Sequence, residues 1–171
     1  MRRRLADDSG VTLVELVIVM GILIVVLAAL ADIFASGLRA SSDSTARVAG
    51  QQNARTAVDR LEYEARCSSG ATVGASGASV LLTLPSECSH ATGSYIWCVT
   101  GGSLIRYAGT SCTGTGQTFA TSVTSPQPFT LLTTTGYLPR LQISMSVDTT
   151  GSSSDRVSIT DVIALRNAAR S

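Results

Sequence analysis

The sequence predicts an α+β protein in which a long N-terminal helix, half membrane-spanning and half amphipathic, packs against an antiparallel β-sheet head. Three observations predict this fold class. An uncharged apolar run is followed by an amphipathic pattern and then by short alternating segments bounded by Gly, Ser and Thr. We therefore expect four segments: a leader (1–10), a transmembrane or filament-core helix (11–37), an amphipathic helix extension (38–67) and a Ser/Thr-rich β head (68–171).

The composition narrows the classes of function. All 13 basic side chains are arginine and the formal net charge is +1, so there is no signal for nucleic-acid binding through counterion release. The lack of lysine excludes Schiff-base chemistry and a P-loop. The single histidine, His90, excludes a multi-histidine metal site. We expect neither a cofactor nor a metal.

The apolar run is long enough to cross a bilayer. Residues 11–31 contain one charged side chain, Glu15, and as a helix they would rise roughly 32 Å, against about 30 Å of hydrocarbon. Arg2, Arg3 and Arg4 precede the run, and by the positive-inside rule they keep this end in the cytoplasm. The pattern predicts a single-pass inner-membrane protein with an exported C-terminal head.

Three processing outcomes are compatible with this segment. It can remain as an uncleaved anchor. It can be a Sec signal cut after Ala31, since Ala29-Leu30-Ala31 fits the A-x-A pattern, which would make the protein a Ser/Thr-rich surface-adhesion or binding protein. It can also be cut before the apolar run, between Gly10 and Val11.

Glu15 bears on this choice. An ionised carboxylate at the centre of a membrane helix costs about 2.5–3.5 kcal/mol, and neither a plain anchor nor a Sec signal has a use for it. One explanation is that Glu15 reaches the nearby headgroups. The other is that a cut after Gly10 creates an α-amine on Val11, and that the amine of a neighbouring subunit neutralises Glu15 inside an apolar bundle.

The motif Gly10-Val11-Thr12-Leu13-Val14-Glu15, followed by the apolar run, resembles the class III leader of type IV prepilins and type II secretion pseudopilins. Gly10, Thr12, Leu13 and Glu15 fall on the matching positions. Val11 departs from the usual phenylalanine. The resemblance implies cleavage after Gly10 by a prepilin peptidase, N-methylation of Val11, and a role for Glu15 in setting subunit register.

A second stretch, residues 51–66, looks like minor pilins of the PilW type and pseudopilins of the J type. Together the two resemblances imply a structural subunit that primes or joins assembly of a type IV pilus or a type II secretion pseudopilus. The implied partners are other pilins through the N-terminal helix, the prepilin peptidase and the inner-membrane assembly platform. The implied destination is a cell-surface or periplasmic filament.

The amphipathic extension has a narrow apolar stripe that needs a partner surface, and a β-sheet would supply it. Its members are Ala54, Ala57, Val58, Leu61 and Ala65. Opposite charges lie four residues apart, which predicts ion pairs on a solvated face. The pairs are Asp43/Arg47, Arg55/Asp59, Arg60/Glu64 and Glu62/Arg66.

The head contains 18 serines and 17 threonines among its residues 68–171, and short alternating segments predict an antiparallel meander. Residues 68–79 read as a flexible loop. The strand candidates are 80–84, 95–99, 104–107, 129–132, 141–147 and 156–165. Gly101-Gly102 suits a tight hairpin turn, and 149–155 suits a longer one.

Four cysteines lie on the exported side of the apolar run: Cys67, Cys88, Cys98 and Cys112. An even count in an exported domain favours disulfides, with three possible connectivities. We favour Cys67–Cys88 and Cys98–Cys112, because the second bridge would close the end of the Gly101-Gly102 hairpin. Zinc is the rival, but the spacings of 21, 10 and 14 are unlike those of ligands. In a reducing compartment the thiols would stay free.

No catalytic constellation is evident in the sequence. A Ser-His-Asp arrangement would have to use His90, and the chain has no G-x-S-x-G motif. His90 lies in a Ser-rich segment and reads as a surface residue. Tyr95 and Trp97 read as core residues rather than a ligand platform. We therefore expect a protein that is not an enzyme.

Overall fold

The computed structural model describes residues 11–88, 91–149 and 156–168, and this part of the chain contains one helix and eight strands. The predicted α+β class is confirmed. Helix α1 covers Leu13–Cys67, and the strands that follow are β1 (Gly70–Val73), β2 (Ser79–Leu84), β3 (Gly93–Thr100), β4 (Ser103–Ala108), β5 (Gly116–Ala120), β6 (Phe129–Leu132), β7 (Arg140–Asp148) and β8 (Arg156–Ala164). The chain divides into two compact units, one ending at Ser44 and the other beginning at Thr45.

The described part of the first unit is helical and has no core of its own. From Val11 to Ser44 every side chain is exposed except that of Ala35, which is half-buried. Helix α1 is long and apolar enough in this part to cross a membrane, and none of its most apolar window is buried in the protein. The structure therefore bears out a candidate membrane span.

The second unit contains the hydrophobic core. The five stripe residues predicted from the helical period are all buried, and they share one cluster with side chains of both sheets. Sheet residues in this cluster include Leu82, Trp97, Leu104, Phe129, Leu141, Ile143, Met145 and Ile163. The prediction that a sheet covers the second half of the helix is confirmed.

Sheet A is a five-stranded antiparallel sheet in the order β1-β2-β3-β4-β5. Its central hairpin joins β3 to β4 through Gly101 and Gly102, with Thr100 paired to Ser103. Both glycines have positive φ, 58° and 71°, as a two-residue turn of type I′ requires. The predicted hairpin is confirmed.

Sheet B is a three-stranded antiparallel sheet in the order β6-β7-β8. Strand β7 alternates as the sequence predicts, with Leu141, Ile143, Met145 and Val147 buried. The segment between β5 and β6 ties sheet B to sheet A. The Val123 amide donates to the Gly102 carbonyl at 2.8 Å, and the Thr124 amide donates to the Ser146 carbonyl at 2.8 Å.

The structure corrects three expectations for the head. The strands form two sheets rather than one meander. The predicted flexible loop, 68–79, contains strand β1, which has no apolar alternation but pairs along its whole length with β2. Strand β5 was also missed, because its glycine and polar residues carry no apolar pattern; pairing with β4 holds it in place. Apart from Thr149 itself, the predicted turn at 149–155 lies outside the described residues.

Candidate functional site

The first turn of α1 is built around Thr12. Its hydroxyl accepts a hydrogen bond from the Glu15 amide at 3.3 Å, and its carbonyl accepts one from the Leu16 amide at 3.2 Å. Thr12 is therefore the N-cap of the helix, and Glu15 occupies the third helical position, as in a capping box. A carboxylate in the first turn also interacts favourably with the helix dipole. The motif residues Thr12, Leu13 and Glu15 thus form a single local structure.

The other predicted features of the N-terminus lie outside the described residues. These are the leader 1–10, with its three arginines, and Gly10 on the N-terminal side of the predicted cut. Val11 is the first described residue, and it precedes the helix in an exposed, non-helical position. The structure therefore places Val11, Thr12, Leu13 and Glu15 together at the start of an apolar helix.

The helix surface that follows is apolar on all sides. Leu13 is 80% exposed, Val14 66% and Ile24 67%, and the large apolar side chains between them are at least 50% exposed. An exposed apolar surface of this extent marks a membrane or protein interaction site rather than a solvated surface. Gly21 has no atom near the place of its missing Cβ, so nothing within the chain requires glycine there.

The end of the helix carries a buried carboxylate, that of Glu64. Its Oε2 accepts hydrogen bonds from Trp97 Nε1 and Arg106 Nε, both at 3.0 Å, and its Oε1 accepts one from Arg60 Nε at 3.1 Å. The Arg106 guanidinium also stacks on the Tyr95 ring, 3.6 Å from its centroid. These contacts bind the last turns of α1 to strands β3 and β4 of sheet A.

The sequence analysis placed Glu64 on a solvated face, which is wrong, because Glu64 is only 1% exposed. Its pair with Arg60 does form, but it forms at the edge of the core. A signal for this position was available, since Glu64 lies seven residues after Ala57 and three after Leu61, within the period of the apolar stripe. Trp97 is fully buried, which agrees with its prediction as a core residue.

Only part of the predicted set of helix ion pairs is present. Arg66 pairs with Glu62, as predicted. In the described part of the chain the side chains of Asp43, Arg55 and Asp59 make no ion pair, so the predicted Asp43/Arg47 and Arg55/Asp59 contacts are wrong. An exposed pair gains little over the entropy of holding two long side chains, which accounts for their absence.

The four cysteines form the two favoured bridges, Cys67–Cys88 and Cys98–Cys112. The first joins the last residue of α1 to the segment after β2. The reason given for the second bridge needs correction. Cys98 pairs with Ile105 across the β3–β4 hairpin, whereas Cys112 lies on the connection between β4 and β5. The bridge therefore fastens that connection to sheet A instead of closing the hairpin.

The remaining chemistry of the head is limited. His90 lies outside the described residues. Among the described residues no group of three His, Cys, Asp or Glu side chains is placed to hold a metal ion. One groove of about 510 Å³ has a described lining of Gly136, Tyr137, Leu138, Arg140 and Ala164. That lining contains neither a carboxylate nor a histidine that could act as a general base.

Comparison with known proteins identifies no relative of this chain. No protein-family model, curated protein or solved structure matches this chain. The functional argument therefore depends on the helix start, the exposed apolar surface and the way in which the head holds the end of α1.

Proposed function

We propose that this chain is a pilin-like filament subunit, a minor pilin or minor pseudopilin. It would prime or join assembly of a type IV pilus or type II secretion pseudopilus after cleavage between Gly10 and Val11. The observation that carries the proposal is the position of Glu15. It is the one carboxylate in the first turn of an exposed apolar helix, four residues after the new N-terminus.

The exposed apolar surface supports this function, because a filament subunit needs an apolar helix that is covered first by lipid and later by neighbouring helices. Before assembly the helix lies in the inner membrane, where lipid covers the side chains from Leu13 onward. In a filament the same side chains pack against the helices of neighbouring subunits. Lateral packing of these helices supplies most of the assembly energy, since burial of apolar surface is the dominant favourable term in association.

Glu15 supplies specificity to this packing. A carboxylate inside an apolar bundle is costly unless it is paired and hydrogen-bonded. The methylated amine of Val11 on a neighbouring subunit is a cation of fixed position, and it pairs with Glu15 when the two helices are offset along their axes. The amine also lies at a helix N-terminus, where its charge opposes the helix dipole, so a carboxylate nearby relieves an unfavourable interaction.

The main rival is a Sec-exported adhesion or binding protein that is cut after Ala31. Its cleavage site, 29–31, lies inside helix α1, with no glycine or proline in those three residues. Proteolytic cleavage prefers exposed loops and termini, so this placement favours the filament function. The filament function also requires no reaction, and we propose none for the chain.

Loss of the Glu15 carboxylate tests the proposal. In cells with the assembly machinery, Glu15→Ala should lower the fraction of the chain recovered in sheared or detergent-resistant filaments at least tenfold. Export of the head and its disulfides should be unchanged. Glu15→Gln tests whether the charge is needed, and it should also fail to assemble.

The matched control is Glu87→Ala, which removes an exposed carboxylate from the head. This variant should assemble normally. Equal recovery of the Glu15→Ala chain and the unaltered chain in filaments would refute the proposed role of Glu15. Absence of the unaltered chain from any filament would refute the function itself.

A further inference from the structure

Three charged side chains follow the apolar run within the first unit: Asp32, Arg39 and Asp43. They are the only charged residues between positions 16 and 44, and their signs alternate. All three are exposed on helix α1. We call this set the charge stripe.

The helical repeat brings the charge stripe onto one face. At about 100° per residue, Arg39 lies roughly 20° to one side of Asp32 and Asp43 lies roughly 20° to the other. Along the axis the three residues are separated by roughly 10 Å and then 6 Å. The helix therefore presents a negative, a positive and a negative charge in one line, next to the apolar surface.

The side chains of the charge stripe are not paired within the chain. In the described residues Asp32, Arg39 and Asp43 make no ion pair and no side-chain hydrogen bond. Arg39 and Asp43 are four apart, but an acidic residue on the C-terminal side of its basic partner is the less favourable order on a helix. By contrast, Arg60 and Glu64 in the same order do pair, because the core and Arg106 hold Glu64 in place.

An alternating line of charges is complementary to itself only at certain offsets. Two parallel copies that are in phase, that is, with no axial offset between them, bring like charges together at all three positions. An offset of four residues, about 6 Å, brings Arg39 of one copy level with Asp43 of the next, and an offset of seven, roughly 10 Å, brings Asp32 level with Arg39. Of these two offsets only the first also brings Val11 of one copy level with Glu15 of the other, so the four-residue register is the one that satisfies both ends of the segment.

We propose that the charge stripe is a docking surface for a second copy of this chain and that, together with Glu15, it fixes the axial offset of adjacent helices at four residues. This inference rests on the proposed function, because it requires neighbouring copies to pack through α1. Val25 lies on the same face of the helix as the stripe, roughly 10 Å before Asp32, and is largely exposed. Packing of a second copy against this face lowers the local dielectric next to the charges and strengthens their attraction.

Cysteine cross-linking of the full chain in native membranes measures the offset directly. Ser36 and Ala40 lie beside the charge stripe, and a four-residue offset makes residue 36 of one copy level with residue 40 of the next. Cells would express one tagged copy with Ser36→Cys and another with Ala40→Cys. We expect the 36–40 cross-link to exceed the in-phase 36–36 cross-link severalfold.

Charge reversal then tests the cause of the offset. Arg39→Asp should lower the 36–40 cross-link about two- to fivefold, the range expected for one exposed ion pair. Addition of Asp43→Arg to the same chain restores opposite charges and should restore the cross-link. Arg140→Asp makes the same change of charge on strand β7 and should leave it unchanged. High salt should reduce the difference between the variants.

Three results would overturn the inference. They are in-phase cross-links that equal or exceed the offset ones, failure of the double variant to recover, and cross-links formed to other proteins only. The N-terminal mass of the same samples separates this inference from the proposed function. Offset cross-links in a chain that is not cut after Gly10 would refute the function and support the docking surface. In-phase cross-links in a cut chain would do the opposite.

Discussion

Helix α1 carries apolar side chains in both units, but those from Leu13 to Leu38 are exposed, whereas those between Ala54 and Ala65 are buried. The first part is apolar on every side and carries almost no charge. The second has a narrow stripe of small and medium side chains, with charged residues around it. The comparison teaches that one helix meets two different requirements: an exposed apolar surface, which in our proposal serves exchangeable neighbours, and a fixed attachment to the head.

The two parts of helix α1 also differ in the polar contacts of their carboxylates. Glu15 lies exposed in the first turn with its carboxylate available to a neighbour, whereas Glu64 is buried and satisfied by Trp97, Arg60 and Arg106. Both are carboxylates on the same helix. Glu64 finds its partners within the chain and makes the attachment permanent, and in our proposal Glu15 finds its partner only on assembly.

The largest expected effect comes from loss of the internal carboxylate. Glu64→Ala should destabilise the head by about 3–5 kcal/mol, because it leaves the Arg106 charge without its partner in a largely buried position. Denaturant unfolding of the full chain in detergent micelles, followed by Trp97 fluorescence, measures the change. Glu62→Ala removes only the exposed pair with Arg66 and should cost less than about 1 kcal/mol. Equal losses for the two variants would contradict the account.

The next effect compares two leucines of α1. Leu61→Ala should cost about 3 kcal/mol in the same unfolding measurement, because Leu61 is fully buried in the core of the head. Leu23→Ala removes the same atoms from a side chain that is 53% exposed, and it should leave the unfolding of the head unchanged. A loss of head stability on replacing Leu23 would show that the first unit contributes to that core.

A smaller effect is expected at Gly116 in strand β5. A Cβ at this position would lie 2.5 Å from Ile105 Cγ2 and 2.6 Å from Tyr107 Cε1, so Gly116→Ala should destabilise the head by about 1–3 kcal/mol. Gly70 in strand β1 is the matched control, since its Cβ would meet nothing within 4 Å. If Gly70→Ala were the more damaging of the two, the packing argument for β5 would be wrong.

The smallest effect belongs to the helix start. Thr12→Ala removes the hydroxyl that accepts the Glu15 amide, and it should destabilise the first turn by about 1 kcal/mol. Amide hydrogen exchange in detergent should then be about fivefold faster at the first helical residues and unchanged near Leu61. Thr12→Ser keeps the cap and should exchange like the unaltered chain. Uniformly faster exchange along α1 would contradict a local capping role.

The sequence predicted the elements whose pattern is periodic. The apolar run, the stripe from Ala54 to Ala65 and the alternation in β7 each repeat at the spacing of their structure, so their type could be read from the residues. Strands β1 and β5 could not be predicted from their residues, because it is pairing with β2 and β4 that holds them in place. Division into two sheets could not be read either, since it depends on contacts such as Val123 with Gly102 that no local pattern encodes.

The candidate site divides in the same way. The helix start was visible as a string of residues, because capping depends on near neighbours in the chain. The partners of Glu64 were not visible, since Trp97 and Arg106 lie 33 and 42 residues further along the chain. The cysteine pairing was favoured correctly, although the reason given for Cys98–Cys112 was not the one that the structure shows.

The most direct test of the filament function is the intact mass and N-terminal sequence of the protein from its native membrane. The account predicts a chain that starts at N-methylated Val11 and retains the two disulfides. A chain that starts at Asp32 would contradict it, because it would have lost the apolar helix and Glu15 together and would be an ordinary secreted protein.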